Sequence, residues 1–350
     1  MNSTKTLLTI VLIGIALTLW AQDSSNFKFS AYVDIYYSYD FSQSDGTKQY
    51  VTQAARRNEF NLNLGVITAS YDNGRIRGNL GLQSGTYPST NYAEPTSLAQ
   101  MINQANVGIR LANNTWLDAG VMGGHFGYEG LFALDNELYT HALATEYTPY
   151  YQTGVQLSTL IAEKLAVRVV AVNGWQNIYE TNKTKSIGLG VDYPLMESLT
   201  ISYGNYYGNE GNHIIGDKFR FHNNAYLSYQ SGPISSTAVF DYTLQESWRS
   251  DNKTGALFLT WINKYAISDQ LYVAARYEFV DDPNLLYFDS PTVSFETHII
   301  TAAVSYSILK NTAIKAECRY FFGNRGIWEG EDAYFNTNTY INLGMMIRME

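Results

Sequence analysis

The sequence has a single cysteine, no excess of basic residues and, beyond its first 21 residues, no long apolar run. Cys318 alone excludes an intrachain disulfide framework and a thiolate metal cluster. A net charge of −9 argues against a nucleic-acid partner held by a basic surface. Without a run of about 18 apolar residues a helical membrane protein is excluded. A transmembrane β-barrel is not excluded, because half of each of its strands is polar.

The first residues have the pattern of a secretory signal peptide. Lys5 provides a positive start, Leu7 to Leu19 form an apolar segment, and Leu19-Trp20-Ala21 is a cleavage site before Gln22. The apolar segment is short for a membrane span, although a retained signal anchor stays an alternative. We therefore expect a cleaved signal peptide at 1–21 and one domain at 22–350, because no linker or shift in composition divides the rest.

About sixteen stretches of the chain alternate between apolar and polar residues, which is typical of strands with one apolar and one polar face. The first of them has one apolar face that consists of Phe27, Phe29, Ala31, Val33, Ile35, Tyr37, Tyr39 and Phe41. The polar face of the same strand carries Lys28, Ser30, Asp34, Ser38 and Asp40. Aromatic residues make up 15% of the chain, and both strands and the interfacial girdles of membrane barrels use them.

Short turns and long polar loops join these stretches in alternation. Seven connections are short, and the first of them contains Asn73-Gly74, a strong hairpin signal. Eight longer loops lie near 42–56, 86–104, 124–149, 174–183, 208–217, 246–253, 281–292 and 323–337. This pattern predicts an all-β fold: a single transmembrane up-and-down antiparallel β-barrel of about 16 strands, with short periplasmic turns and long extracellular loops. Its location would be the outer membrane, with membrane lipid as its surroundings.

Charged residues within the predicted strands fall opposite the apolar face. This placement fits a membrane barrel, in which a lysine or arginine that faces lipid at mid-membrane costs about 2–4 kcal/mol. Lys264 is expected to be an exception, tolerated because it lies at a strand end where its long side chain extends toward water. Near 295–308 the apolar residues change parity, and we expect a β-bulge there.

An ordered set of motifs resembles the OmpL-like family of β-barrel porins from about residue 27 to the end of the chain. The motifs are Ala31 to Phe41, Leu117-Asp118-Ala119-Gly120 with Gly127-Tyr128-Glu129, Tyr147 to Val155, and Val172 to Ile178. The resemblance implies a bacterial outer-membrane barrel. In general porins, which share this architecture, the third extracellular loop folds into the barrel and narrows the pore. In this chain that loop is the segment at 124–149.

A barrel of sixteen strands is wide enough for an aqueous channel unless something fills it. The candidate pore-lining residues are Arg77, Arg110, Asp118, Arg220, Arg276, Glu278, Glu317 and Arg319. The candidate constriction residues on the long loop are Tyr128, Glu129, Asp135 and Glu137. Acidic groups opposite arginines would set selectivity by size and charge. Two alternatives stay open: the loop caps the mouth with solvated charges, and the wall charges form structural ion pairs.

The function that the sequence favours is passive diffusion of small hydrophilic solutes through a porin without enzymatic activity, cofactor or metal. A metal held by His125, His141 and Glu129 is a weaker alternative, since histidines in a polar loop are usually just exposed. A plugged structural or adhesive barrel that binds a partner through its loops is the main alternative function. An outer-membrane hydrolase is less favoured, because no G-x-S-x-G motif is present. Whether the chain forms a homo-trimer is left open.

Overall fold

The structure is a computed structural model that describes residues 26–42, 46–92, 96–211, 216–246, 253–323, 326–329 and 334–350. The predicted signal peptide at 1–21 lies outside these residues. The described residues include three short helices: α1 (Thr86–Asn91), α2 (Ser97–Gln100) and α3 (Leu143–Glu146). Within the described ranges, no helix has the length and hydrophobicity that a membrane span would need.

Sixteen antiparallel strands close into one barrel, as the alternation predicts. Each strand pairs with its neighbours along the chain, and β1 pairs with the last strand to close the barrel. The barrel strands are β1 (Phe27–Asp40), β2 (Glu59–Asp72), β3 (Ile76–Ser84), β4 (Ile102–Ala112), β5 (Thr115–Gly123), β6 (Tyr151–Ile161), β7 (Leu165–Val172), β8 (Ser186–Met196), β9 (Leu199–Asn209), β10 (Phe219–Ser231), β11 (Ile234–Glu246), β12 (Lys253–Ala266), β13 (Leu271–Asp282), β14 (Phe295–Leu309), β15 (Thr312–Phe322) and β18 (Thr337–Met349). Two further strands, β16 (Trp328–Glu329) and β17 (Tyr334–Phe335), pair with each other in the last loop.

Connections of two to four residues alternate with longer ones, so the barrel has a turn end and a loop end. Four of the longer connections matter for the interior: L1 (41–58), L3 (124–150), L7 (283–294) and L8 (323–336). Because each hairpin with a short turn is followed by a long loop, all long loops lie at the same end. The predicted alternation of short turns and long loops is confirmed.

The side chains of each strand alternate between the interior and the outer surface. In β1, Asp34, Ser38 and Asp40 are buried inside the barrel, whereas Ile35 and Tyr39 are exposed on its outer surface. Aromatic residues occupy the outer surface near both ends of the strands. Those near the turn end include Tyr193, Tyr229, Tyr265 and Tyr306, and those near the loop end include Tyr39, Phe60, Tyr207 and Phe221. Such girdles mark the two interfaces of a membrane barrel.

Part of the interior at the loop end is apolar, because L1, L3, L7 and L8 meet there. We call this group of side chains the mouth cluster. Phe288 of L7 stacks on Phe295 of β14 with ring centroids 3.9 Å apart. The loops contribute Val51, Leu143, Ala144, Leu285, Leu286, Phe288, Ile327 and Trp328, and the strands contribute Ala256, Phe258, Val280, Phe295, Ile299, Phe321 and Tyr340.

The mouth cluster explains the change of parity in β14 and one wrong prediction. β14 has an irregularity in its pairing with β15 between Ser307 and Leu309, at the turn end of the range in which a bulge is expected, but it pairs with β13 without a register shift where the parity changes. Phe295 and Ile299 simply point inward into the cluster. The inward face of β12 is likewise apolar at the loop end, which hides the parity of the strand in the sequence. Lys264 belongs to this inward face and does not point toward the outer surface. Its ammonium lies 5.6 Å from the Tyr272 ring.

The outer surface gives a direct test of membrane insertion. Ile300 is exposed near the middle of β14, and Ile300→Arg should lower the free energy of unfolding in lipid vesicles by about 2–4 kcal/mol. Leu309→Arg, at the turn end of the same strand, is the matched control and should cost only about 0–1 kcal/mol. Urea denaturation of both variants measures the difference. Equal losses would show that Ile300 does not lie in the hydrocarbon core.

Candidate functional site

L3 lies inside the barrel against β13 and β15. Leu138, Tyr139, His141 and Leu143 of this loop are fully buried. A loop in this position cannot hydrogen-bond to bulk water, so its backbone groups need partners on the wall. The wall strands supply them through charged side chains.

Two carboxylates of the wall accept hydrogen bonds from the backbone of L3. The Glu317 Oε2 atom accepts from the amides of Tyr139 and Thr140 at 2.9 and 3.0 Å. The Glu278 Oε2 atom accepts from the amide of Leu143 at 2.7 Å. Hydrogen bonds to a charged partner are stronger than neutral ones, so these two carboxylates fix the position of L3.

Cationic side chains of the wall bind the carbonyl groups of the same loop. Arg276 donates to the Thr140 oxygen at 2.6 Å and to the His141 oxygen at 3.0 Å, and Arg319 donates to the His141 oxygen at 2.9 Å. The Lys315 Nζ atom donates to carbonyl oxygens of Ala133, Asn136 and Leu138. Both kinds of backbone group in the buried part of L3 are thus satisfied by charges on two strands.

These charges also neutralise one another. Arg276 contacts Glu129 of L3 at 2.9 Å and Glu278 of its own strand at 2.8 Å. Arg319 contacts Glu278 at 3.0 Å. Buried charges are tolerated only when they are paired and hydrogen-bonded, and this network meets both conditions. Burial raises the pKa of Glu129, while Arg276 acts in the opposite direction.

L1 packs against L3 and adds a second set of buried polar contacts. The Gln53 Oε1 atom accepts from the His141 amide at 2.6 Å, and the Glu146 carboxylate accepts from Thr52 and from the Gln53 amide. Lys48 donates to the Asn342 Oδ1 atom on β18 at 2.9 Å. Burial lowers the pKa of Lys48 to about 7, although nearby carboxylates act in the opposite direction.

The four predicted constriction residues all belong to the inserted loop, but only Glu129 joins the buried charge network. Tyr128 donates from its hydroxyl to Glu137 at 2.8 Å. Asp135 is exposed near the turn end, where it pairs with Arg348 at 2.9 Å. The sequence predicts acidic loop residues opposite wall arginines. Glu129 and Arg276 instead contact each other directly and do not face each other across open space.

The eight candidate wall residues separate into three groups. Arg276, Glu278, Glu317 and Arg319 hold L3. Arg77 and Asp118 pair with each other at 2.7 Å on another part of the wall. Arg110 and Arg220 each lie over a tryptophan ring: Arg110 is 5.0 Å from Trp116 at the turn end, and Arg220 is 4.6 Å from Trp175.

Lys315 and Asp34 are wall residues that sequence reasoning missed and that also hold the loop. Lys315 binds three carbonyl groups of L3, and Asp34 accepts from the Tyr139 hydroxyl at 2.9 Å. A signal for Lys315 existed, because it shares its parity in β15 with Glu317 and Arg319. Asp34 stands on the polar face of β1, yet nothing in the sequence connects it with Tyr139.

A cavity of about 500 Å³ remains between L3 and the wall formed by β1, β2 and β4. Tyr92, Gly123 and Pro149 line it at the loop end, and Ser70 and Arg348 line it at the turn end. The cavity therefore extends along the barrel axis, on the side away from the charged anchors of β13 and β15. Among the described residues no group of three or more histidine, cysteine, aspartate or glutamate side chains is arranged to hold a metal ion.

Removing one anchor should loosen L3. Lys315→Met keeps the length of the side chain but removes the ammonium that binds the carbonyl groups of the loop. Because L3 has no lysine or arginine, chymotrypsin is the suitable protease. Its cleavage within L3 should become about tenfold faster, since hydrogen bonds to charged groups are worth about 1.5–3 kcal/mol. Arg77→Met removes a wall cation that contacts Asp118 instead and is the control; equal cleavage of both variants would contradict the anchoring role.

The anchored loop should also depend on pH through His141. Its Nδ1 atom lies 2.5 Å from the Tyr150 hydroxyl and its Nε2 atom 2.8 Å from the Gly130 oxygen. Burial lowers the pKa of His141 from 6.5 to about 3. Between these two values the unfolded chain binds a proton that the folded chain does not, so stability falls as the pH is lowered.

The measurement compares urea unfolding of the wild type and His141→Asn in detergent micelles at pH 7 and pH 4.5. The wild type should lose about 2 kcal/mol more than the variant over this interval. Glu129 and Glu146, whose pKa values are raised by burial, titrate in both proteins, so the difference isolates His141. Parallel pH profiles would show that His141 is not the responsible group.

The chain is similar to a protein family and to solved porin structures. The model of the family described as "Putative beta-barrel porin-2, OmpL-like" matches residues 26–348. OmpF of Salmonella typhi in complex with daunomycin has a TM-score of 0.62 and 14% identity, and the match covers 93% of this chain and 98% of that chain. The anion-selective porin from Comamonas acidovorans has a TM-score of 0.62 and 12% identity, and the match covers 93% of this chain and 100% of that chain.

OmpT of Vibrio cholerae, described as a trimer form, has a TM-score of 0.57 and 11% identity, with 93% of this chain and 100% of that chain covered. At such low identity these three structures show the fold alone. The search of curated proteins found no match. Because the family model matches nearly the whole chain, this protein is an outer-membrane porin barrel and belongs to the OmpL-like family of β-barrel porins.

Proposed function

We propose that this porin is a passive diffusion channel for small hydrophilic solutes. The observation that carries the proposal is the asymmetric position of L3. The loop is held on β13 and β15 by buried charges, and a cavity of about 500 Å³ is left along β1, β2 and β4. A barrel of sixteen strands is wide enough for an aqueous channel, and an inserted loop reduces its width.

The lining of the cavity supports passage of hydrated polar molecules. Ser30, Thr68, Ser70, Asn103 and Gln104 supply hydroxyl and amide groups on the barrel wall. The charges that hold L3 are paired on the other side, so they fix the width of the passage without creating a strong field of one sign. Discrimination would then depend chiefly on the size of the solute.

This function requires no covalent chemistry, and we propose that the protein has no enzymatic activity. Its partners would be the lipid of the outer membrane and the permeating solutes. The homo-trimer stays a prediction, as does cleavage of the signal peptide. A plugged barrel, in which the mouth cluster and L3 close the lumen completely, is the outcome that the conductance experiment would reveal if the proposal fails.

Single-channel recording of the refolded protein in a planar bilayer tests the proposal. Discrete ohmic steps are expected, and the reversal potential in a salt gradient gives the sign of the selectivity. Thr68→Trp places a large ring in the cavity and should lower the conductance by about half or more. Ala69→Trp puts the same ring on the outer surface of the same strand and should leave the conductance unchanged. A folded, inserted barrel that gives no current would overturn the proposal.

A further inference from the structure

The lining of the cavity at L3 is unusually aromatic for a space that also carries many polar groups. Four rings come from L3 and two from elsewhere in the barrel. They are Tyr32, Tyr92, Phe126, Tyr128, Phe132 and Tyr150. Tyr92 and Tyr150 stand at the loop end, Phe126 and Tyr128 follow along L3, and Tyr32 and Phe132 contact each other near the turn end with ring centroids 4.6 Å apart. Aromatic residues therefore line the cavity along its whole length.

Neutral polar side chains converge on the same cavity at Gly81. The position that a Cβ atom would take at Gly81 lies 3.0 Å from the Gln104 Cγ atom, 3.2 Å from the Thr68 Oγ1 atom and 3.3 Å from the Asn103 Oδ1 atom. The absence of a side chain at Gly81 thus leaves room for the side chains of Thr68 from β2 and of Asn103 and Gln104 from β4. Within the part of the chain that the structure describes, the side chains of Thr68 and Gln104 make no hydrogen bond.

Charged groups contribute little to this lining. Glu129 is nearly buried and already satisfied, since Arg276, the Ala142 amide and the Thr145 hydroxyl all donate to it at 2.7–2.9 Å. Arg348 is paired with Asp135 near the turn end, and Glu350 also lines the cavity there. The middle of the cavity therefore offers aromatic surface and neutral donors and acceptors, and it offers no unpaired charge to a charged solute.

We propose that this cavity is a binding site for a neutral carbohydrate, so that the channel favours sugars of one or two rings over other neutral solutes. The inference rests on the proposed diffusion function and adds its substrate class. A sugar ring has a C–H face that packs on aromatic rings and hydroxyls that both donate and accept hydrogen bonds. The amide of Gln104 and the hydroxyl of Thr68 match such hydroxyls in both roles. The volume lies within the about 300–1,000 Å³ that is typical of small-molecule sites.

The test is the ion current through single channels in the presence of maltose. A sugar that binds in the passage lowers the conductance with a concentration dependence that saturates. A polyethylene glycol of matched mass, at matched viscosity, should lower the conductance without saturation. We expect the double variant Thr68→Val, Gln104→Leu to raise the half-saturating maltose concentration about 25-fold, since each of the two lost hydrogen bonds weakens binding about fivefold.

Two further variants complete the design. Phe132→Leu removes an aromatic ring of the lining but keeps an apolar side chain of similar size, and it should also raise the half-saturating concentration. Gln156→Leu changes an inward-facing amide on β6 that does not line the cavity, and it should behave as the wild type does. Heat-modifiable mobility on gels verifies that each variant is folded before recording.

Each outcome has a definite meaning. If maltose and the glycol lower the current equally and without saturation, the carbohydrate site is wrong and the diffusion channel stands. If maltose blocks the double variant, the Gln156→Leu control and the wild type at the same concentration, the sugar binds elsewhere and the assignment to this cavity is wrong. If the folded wild type carries no ion current, the diffusion function itself fails, and the carbohydrate site fails with it.

Discussion

Backbone groups that enter a closed barrel lose their contact with bulk water, and this constraint determines the interior of the protein. L3 brings peptide amides and carbonyls into the lumen, where an unpaired group would cost about 1–3 kcal/mol. Glu278 and Glu317 accept from the amides, and Arg276, Lys315 and Arg319 donate to the carbonyls. The same side chains neutralise one another. One set of charged side chains therefore satisfies the backbone hydrogen bonds of L3 and also balances its own buried charges.

The mouth cluster adds a second means of fixing the loops, and it is apolar. L1, L3, L7 and L8 each place hydrophobic side chains inside the barrel at the loop end. Loop segments that would be mobile in isolation are tied to each other and to the inward faces of β12–β15 and β18. As a result the inner surface of these strands changes from the charged middle, which contains Arg276, Glu278 and Glu317, to an apolar loop end. A membrane barrel with a fully water-filled lumen would not show this change.

The strand pattern was predictable from the sequence, and the interior arrangement was not. Alternation, the Asn73-Gly74 turn and the order of short and long connections are local features, and they predict sixteen strands correctly. Lys264 and the parity of β14 were misread because the rule of an apolar outside and a polar inside fails wherever loops fill the lumen. Lys315 was missed although its parity marks it, since its partners lie about 180 residues away in L3. Contacts between a loop and a distant strand leave no periodic signal.

The inward-facing side chains on the two sides of the barrel differ in their interactions. On β13 and β15 every charged inward side chain named above is bound to L3 or to another charge, so changing one disturbs the position of the loop. On β1, β2 and β4 the lining is neutral, and side chains such as Thr68 and Gln104 hold nothing else in place. The width of the passage is thus set by one wall and its chemistry by the other. Such a division lets the preference for solutes change by substitution on the free wall while the loop keeps its position.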